Sequence, residues 1–114
     1  MATAQELYQE GEQLKEEEKL EESVAKLEAA LSEDENHILS HMMLAVLCGR
    51  LGQHLKAVSH GERACELEPE DAINFTALSV TYQRAYDGTQ DMSFIQKAEE
   101  AMARAQMIQG GQHH

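Results

Sequence analysis

Apolar and small residues recur along most of the chain with the period of an α-helix. They stand at i, i+3 or i+4 and i+7, and charged or amide residues fill the positions between them. This pattern predicts six helices, at residues 4–16, 20–33, 37–50, 54–67, from Ala72 through at least Tyr82, and 93–108. Acid-rich or glycine-containing segments separate the predicted helices.

These connecting segments contain start and stop signals for helices. Gly52 should end the third helix, since glycine adopts left-handed dihedral angles at low cost. Either Asp34 or Asn36 is a suitable cap for the start of the third helix, and Asp71 for the start of the fifth. In the fourth helix, Leu55 follows the apolar spacing, so we expect it in the core.

The chain repeats itself with a period of 34 residues. The equivalent residues are Gly11, Ala45 and Ser79; Leu7, His41 and Phe75; Leu14, Cys48 and Tyr82; and, in the second half of the unit, Ser23 with Ala57 and Ala30 with Ala64. Several of these residues are small. Because a small residue within a helix allows a neighbour to approach closely, they predict helix–helix contacts at these positions.

The repeat resembles that of the tetratricopeptide repeat (TPR) family, whose pattern is W-x2-L-G-x2-Y, followed by A-x3-F and P. At those places the middle unit carries His41, Leu44, Ala45, Cys48, Ala57, Gly61 and Pro69. The chain departs from the pattern because it has no tryptophan, and because Gly61 stands where an aromatic residue is usual. The resemblance covers roughly residues 4–108.

The resemblance implies an all-α fold, a right-handed array of three helix-turn-helix repeats whose six helices form an α-α superhelix. An irregular helical bundle is the alternative. We expect a single domain at residues 1–109, with repeats at about 4–37, 38–71 and 72–108. Residues 110–114 should form a flexible tail, in which His113 and His114 are either native or the remnant of a purification tag.

The third unit departs from the period. Ala98, Met102 and Ala105 come seven residues later than expected, which places an insertion near residues 86–92. Seven residues make about two helical turns. The insertion therefore either extends a helix beyond the stack or forms the turn between the last two helices, and the sequence Asp-Gly-Thr-Gln-Asp favours a loop. In both cases Ser79 should pack near Ala98.

The chain is acidic, with 21 Asp and Glu residues against nine Lys and Arg and a net charge of −12. Residues 1–37 hold twelve acids and three lysines and contribute −9 of this charge. Such a surface repels nucleic acid and anionic lipid and favours a basic partner, although glutamate-rich helices are commonly just well solvated. Without a long apolar run or the features of a signal peptide, the chain is expected to be cytoplasmic.

The histidines, cysteines and acids raise the question of catalysis or metal binding. His37 and His41 are four residues apart, but no glutamate lies between them and no third ligand is evident. Cys48 and Cys65 fall at packing positions, so we expect buried free thiols. The sequence has no nucleophile elbow, phosphate-binding loop or dinucleotide-binding glycine motif. We therefore expect no enzymatic activity, metal, cofactor or small-molecule substrate.

The TPR resemblance implies that the first helix of each pair lines a concave groove. The residues predicted for it are Gln5, Tyr8, Glu12 and Lys15; Leu39, Met42, Val46 and Arg50; and Ile73, Thr76, Val80, Gln83 and Arg84. The middle of this set is apolar, and exposed methionine and aliphatic side chains form adaptable binding surfaces. Alternatively, the last helix or the tail folds over this face.

One TPR subgroup binds the acidic C-termini of chaperones through a clamp of lysine, asparagine and arginine on this face. The corresponding places here hold Tyr8, Glu12, Met43, Ile73 and Ala77. None of these side chains binds a carboxylate well, so the resemblance does not extend to that function.

Two hypotheses for the function follow. The leading one is a non-enzymatic adaptor or scaffold that holds a peptide or helix of another protein in the apolar groove. The second is a structural protein that self-associates as a homodimer, through the groove or the outer face of the last helix pair.

Overall fold

The computed structural model describes residues 1–111. Within these residues the chain forms six helices and no strand, which confirms the all-helical prediction. The helices are α1 (Ala4–Glu16), α2 (Leu20–Glu33), α3 (Ile38–Arg50), α4 (His54–Leu67), α5 (Ala72–Thr89) and α6 (Ser93–Gly111). The predicted bounds of α1, α2 and α4 match residue for residue.

The helices form three consecutive pairs. α1 packs on α2, α3 on α4 and α5 on α6, and neighbouring pairs join through contacts of α2 with α3 and of α4 with α5. α3 also contacts α5, so the first helices of the second and third pairs lie side by side. This pattern, in which each unit contacts only its neighbours, is typical of a stacked helical repeat.

Signals in the sequence set several of the helix ends. Gly52 has a φ of +78° just after α3, and the Asp71 carboxylate accepts a hydrogen bond of 2.9 Å from the backbone N–H of Ile73 at the start of α5. Both predictions are confirmed. At the start of α1, Thr3 and Glu6 form a reciprocal capping box, which satisfies two backbone N–H groups that the helix leaves free.

The cap of α3 is not the predicted one. The His37 ring accepts a hydrogen bond from the Ser40 backbone N–H at the start of the helix. Asp34 lies in the turn before the helix, where its carboxylate accepts a hydrogen bond from the backbone N–H of Asn36. The prediction of Asp34 or Asn36 as the cap is therefore wrong, because the helix begins too late for either side chain to reach it.

Small residues allow close packing within the helix pairs. A Cβ atom on Gly11 would lie 3.0 Å from Leu27, which is fully buried on α2, and the Ser23 hydroxyl donates to the Gly11 carbonyl at 2.6 Å. The equivalent place in the third pair shows the reverse arrangement. There the Ser79 hydroxyl on α5 donates to the Ala98 carbonyl on α6 at 3.0 Å. The prediction that Ser79 packs near Ala98 is confirmed.

Gly61 lies where the second and third pairs meet. A Cβ atom there would lie 3.1 Å from Leu78 Cδ1 on α5 and 3.8 Å from the Cβ of Ala45 on α3. The glycine that departs from the TPR pattern therefore lets α4 approach α3 and α5 closely.

The core lies between the helices in two main clusters. One cluster contains residues of α1, α2, α3 and α4, among them the fully buried Leu27 and Leu47. The other contains residues of α4, α5 and α6, among them Tyr82 and Phe94. The rings of Tyr82 and Phe94 are stacked, with centroids 6.0 Å apart.

The prediction that Leu55 belongs to the core is wrong, since its side chain is 72% exposed. At 3.6 residues per turn, His54, Ala57, Gly61 and Ala64 share the buried face of α4, and Leu55 lies about 100° away from His54. The first position of the buried face is therefore His54.

The insertion in the third unit mainly lengthens α5. The helix continues to Thr89 and ends at Gln90, whose φ of 62° is left-handed, and α6 begins at Ser93. The prediction of a loop is wrong for Asp87, Gly88 and Thr89, because these residues lie in α5. Gly88 lies directly against the ring of His54. A Cβ atom on Gly88 would overlap that ring, so the extension is packed against the start of α4.

The last helix, α6, ends at Gly111, beyond the bound of 108 predicted from the sequence. His113 and His114, which we assigned to a tail, lie outside the described residues. None of the six helices combines the length and the apolar character that a bilayer-spanning helix requires.

Candidate functional site

An apolar recess with a volume of about 430 Å³ lies on the face formed by α1, α3 and α5. Residues of α4 close its floor between α3 and α5, and no residue of α6 in the described chain lines it. Its lining is Tyr8, Lys15, Leu39, Met42, Met43, Ala45, Val46, Gly61, Ala64, Asn74, Ala77, Leu78, Val80, Thr81 and Arg84. We call this recess the groove.

Aliphatic side chains remain exposed along the groove. Leu39 is 46% exposed, Val46 41% and Val80 42%, while Met42 and Met43 are half-buried between them. On α3, Leu39 and Val46 are seven residues apart and therefore share one helix face. An array of exposed aliphatic side chains with flexible methionines can repack around the side chains of a bound segment.

Asn74 is the polar exception in this apolar lining. It is 96% buried at the start of α5, and its side-chain Nδ2 finds no acceptor among residues 1–111. A buried amide without a partner costs free energy, because it has lost its hydrogen bonds to water. The groove lining therefore includes a residue whose amide donor is buried in the free protein and left unsatisfied by the fold.

Two cationic side chains, Lys15 from α1 and Arg84 from α5, also line the groove. Lys15 is half-buried. The aliphatic part of Arg84 passes over Gly49 of α3, where an added Cβ would lie 3.9 Å from Arg84 Cδ. The small residue on α3 thus gives the arginine stem a place beside the groove.

One side of the groove is held by contacts between α1 and the start of α3. The ring of Tyr8 lies 5.5 Å from the ring of His37, measured between centroids, and His37 Nε2 is 3.0 Å from Gln5 Oε1. Burial, together with the neighbouring Glu12 carboxylate, raises the pKa of Tyr8. Its phenol therefore stays protonated at neutral pH and remains a hydrogen-bond donor.

Seven of the thirteen residues predicted for the groove line this recess: Tyr8, Lys15, Leu39, Met42, Val46, Val80 and Arg84. The remaining predicted residues, Gln5, Glu12, Arg50, Ile73, Thr76 and Gln83, lie outside its lining.

The positions of these outlying residues have local reasons. Arg50 is exposed and pairs with Glu18 at 3.0 Å, so it points along the turn after α1. The Thr76 hydroxyl donates to the backbone of its own helix, and Gln83 faces a separate recess between α5 and α6. Ile73 is 70% exposed at the edge of the same helix.

Asn74, Gly61 and Ala64 line the groove, although the sequence pattern does not predict them there. Gly61 and Ala64 belong to the second helix of their pair, which the resemblance does not place in the groove. Asn74 had a signal in its spacing, since it stands four residues before the buried Leu78 and therefore on the buried face of α5.

A histidine pair lies on the other side of α3 from the groove lining. His41 Nδ1 on α3 and His60 Nδ1 on α4 are 3.0 Å apart, and His41 Nε2 is 2.8 Å from the Glu35 carbonyl. Burial and the neighbouring His41 lower the pKa of His60; Lys56 also lowers it, and Glu28 opposes the shift. The lowered pKa favours the neutral form of His60, whose contact with His41 links α4 to α3. Among residues 1–111, no group of three or more histidine, cysteine or acidic residues is placed to hold a metal ion.

Both cysteines are buried free thiols, as predicted. Burial raises the pKa of Cys48, and it raises the pKa of Cys65 to about 11 with the help of nearby acids. Since the thiolate is the reactive form, neither side chain is an activated nucleophile at neutral pH.

No protein-family model matches the chain, and no curated protein matches it. Solved structures do. The crystal structure of MamA has a TM-score of 0.82 and 15% identity, covering 97% of this chain and 61% of MamA. YrrB, described as a TPR protein with an unusual peptide-binding site, has a TM-score of 0.77 and 24% identity, covering 96% of this chain and 53% of YrrB. A MamA RS-1 ArsTM double mutant has a TM-score of 0.63 and 17% identity, covering 96% of this chain and 76% of that one.

The chain thus spans about three fifths of MamA and about half of YrrB. At these identities the likeness concerns the fold. The three helix pairs, the small residues where they meet and the match over nearly the whole chain agree. The chain has a TPR-like fold of six helices in three stacked pairs.

Proposed function

We propose that the chain is a non-enzymatic protein-interaction module whose groove binds a peptide or helix of another protein. The observation that carries this proposal is the line of exposed aliphatic side chains at Leu39, Val46 and Val80, each more than two-fifths exposed on one face. Aliphatic surface concentrated in a recess gains free energy when a partner removes it from water.

The shape of the groove suits side-chain anchors. A recess of about 430 Å³ lies in the range of ligand-sized cavities, and it opens along α3. An amphipathic helix presents anchors at i, i+3 or i+4 and i+7, which is the spacing of Leu39, Met42 and Val46 on the facing helix. The peptide-binding site described for YrrB supports a peptide as the class of ligand.

Asn74 would fix the position of the bound segment. Its Nδ2 is buried and has no acceptor in the described chain, and rotation of the amide towards the groove would let a backbone carbonyl of the partner supply one. The aliphatic residues would then provide most of the affinity, and the amide would set the register of the peptide.

The proposal can be tested by selecting binders from a displayed library of random peptides, long enough to form several helical turns. The selected peptides are then synthesised and their affinity is measured by fluorescence anisotropy. The double variant Leu39→Glu, Val46→Glu should weaken binding by at least about tenfold, because charges in the groove oppose apolar burial. Both residues are exposed in the free protein, so the helical circular dichroism should be unchanged.

A matched control is available outside the groove. Leu55 and Met92 are also exposed aliphatic side chains, and neither lines the groove. The double variant Leu55→Glu, Met92→Glu should therefore bind the selected peptides as the unmodified protein does. Equal loss of affinity in both double variants, or in neither, would show that the peptides do not bind in the groove.

The self-association hypothesis predicts a different outcome of the same variants. If a second copy covers the groove, sedimentation velocity should show a dimer that the Leu39→Glu, Val46→Glu protein no longer forms. We expect a monomer at all accessible concentrations, because the proposed occupant is a segment of another protein.

A further inference from the structure

Resting on the proposed function, we infer that the segment bound in the groove carries a carboxylate, which Lys15 and Arg84 contact. The first observation is the local charge. The chain has 21 acidic and nine basic residues, yet two cations and no acid stand among the groove lining residues. The net charge of the chain therefore has the opposite sign to the charge of its groove.

The second observation is that neither cation forms an ion pair with a carboxylate among residues 1–111. Lys19, Lys26, Arg50, Arg63 and Arg104 each lie within 4 Å of a carboxylate. Among residues 1–111, no such ion pair is formed by Lys15 or Arg84. Lys56 and Lys97 also lack such a pair among these residues, but neither lines the groove. Lys15 and Arg84 are therefore the two cations at this recess that are free to bind an anion from outside.

The third observation is their placement. Lys15 belongs to α1 and Arg84 to α5, so they stand on opposite sides of α3 at one recess. A segment lying along the exposed face of α3 would pass between them. The guanidinium of Arg84 offers two parallel N–H groups to a carboxylate, and Lys15 adds a point charge from the other side.

The surroundings make this contact stronger than an ordinary surface ion pair. The rest of the lining is mostly apolar, and a bound apolar segment would exclude water from it. Coulomb attraction increases as the effective dielectric constant falls. Neither cation stands at one of the five clamp positions named above, so this contact differs in position from the chaperone-tail clamp.

The occupant is thus a peptide with apolar anchors followed or preceded by Asp or Glu, or ending in its own carboxylate. A nucleic acid is disfavoured, because the net charge of −12 repels a polyanion at every other point of contact. A single carboxylate meets two cations in the groove and leaves most of the acidic surface outside the interface.

The library selection described above also tests this inference. The selected peptides should be enriched in Asp and Glu over the unselected library. In one selected peptide, the acidic residue is changed to its amide, and in parallel the C-terminal carboxylate is blocked as an amide. Whichever change removes the contacting carboxylate should weaken binding at least about tenfold, as expected for a hydrogen bond to a charged group.

The matching changes in the protein are Lys15→Gln and Arg84→Gln, with Lys56→Gln as the control. Lys56 is exposed on α4 and does not line the groove. Arg84→Gln should lower the affinity for the acidic peptide about tenfold but leave the affinity for the peptide with the neutral amide unchanged. These four affinities form a double-mutant cycle. Affinity for the acidic peptide should also fall with added salt, and Lys56→Gln should change neither affinity.

The outcomes separate the inference from the proposed function. The selected peptides could have apolar anchors and no need for a carboxylate, and could bind Arg84→Gln and Lys15→Gln as well as they bind the unmodified protein. That result would overturn the inference and leave the proposed function standing. Failure to select any peptide that depends on Leu39 and Val46 would overturn the proposed function itself. Tighter binding of a synthetic phosphopeptide than of its Glu counterpart, measured by the same anisotropy assay, would replace the carboxylate by a phosphate and also overturn the inference.

Discussion

Replacing Asn74 with leucine should stabilise the fold and lower the affinity for the proposed peptide. Asn74 is 96% buried, and its Nδ2 has no acceptor among the described residues. Leucine has nearly the same shape, so it can fill the same space without a polar group. The substitution thus removes an unsatisfied donor without creating a large cavity.

The size of the effect follows from the cost of burying that donor. An unsatisfied buried polar group costs about 1–3 kcal/mol, so the free energy of unfolding should rise by a similar amount. For a domain of this size, each kcal/mol raises Tm by about 4 °C. Binding should weaken by about tenfold or less, because the peptide carbonyl loses a neutral hydrogen bond.

The assay compares urea unfolding, followed by circular dichroism, for Asn74→Leu and a matched variant, Ser79→Ala. Ser79 is also buried on α5, but its hydroxyl donates to the Ala98 carbonyl. Its replacement should lower stability by about 0.5–1.5 kcal/mol, since a satisfied hydrogen bond is lost. The two variants should therefore change stability in opposite directions.

A loss of stability in Asn74→Leu would refute this reasoning, because it would mean that the amide makes a favourable interaction in the free protein. Unchanged peptide affinity in a stabilised Asn74→Leu protein would keep the stability argument but remove the amide from the binding site.

Two further predictions concern contacts of α4. Gly88→Ala should lower stability because the added methyl group meets the His54 ring, although alanine is normally the better helix former by about 1 kcal/mol. In a His54→Ala background the same change should raise stability. An increase in stability in both backgrounds would contradict the packing of Gly88 against His54. Since the pKa of His60 is lowered in the folded state, stability should be full above the unfolded value of about 6.5 and fall as the pH drops through the lowered pKa. Urea unfolding midpoints measured above and below about pH 6.5 should show this fall in stability, and His60→Gln should make the pH dependence weaker. An identical pH profile in the variant would assign the pH dependence to other groups.

Much of the fold could be predicted because its signals are local and repeated. The period of 34 residues locates equivalent helices, and the small residues at Gly11 and Ser79 mark where paired helices touch. Gly52 and Asp71 mark helix ends through their own conformational preferences. Such signals depend on few neighbours, so the sequence carries them directly.

The errors arise where a tertiary contact decides. Gly88 in Asp-Gly-Thr favours a turn by propensity, but the helix continues because the glycine packs against His54. The apolar character of Leu55 predicts a core position, whereas the buried face of α4 begins with His54. In both cases a histidine at the start of α4 supplied the packing surface, and the pattern of apolar residues gives no sign of it.

The groove residues are harder to predict for a different reason. Residues that hold the stack, such as Gly11 against Leu27 or Gly61 against Leu78, are constrained by contacts that recur with the period. Exposed groove residues have no such constraint, so each repeat can carry a different side chain at the same place.

This freedom allows the charge of the groove to differ in sign from the net charge of the chain. The acids of the first repeat cover its outer surfaces, whereas the groove receives one cation from α1 and one from α5. Lys15 and Arg84 line the same recess because α1 and α5 both border it together with α3. Since neither residue holds the stack, changing either to glutamine should leave the unfolding midpoint almost unaltered while it alters the peptides that are selected. A large loss of stability in Arg84→Gln would instead show that its contact over Gly49 helps to hold α5 against α3, and the arginine would then be a structural residue.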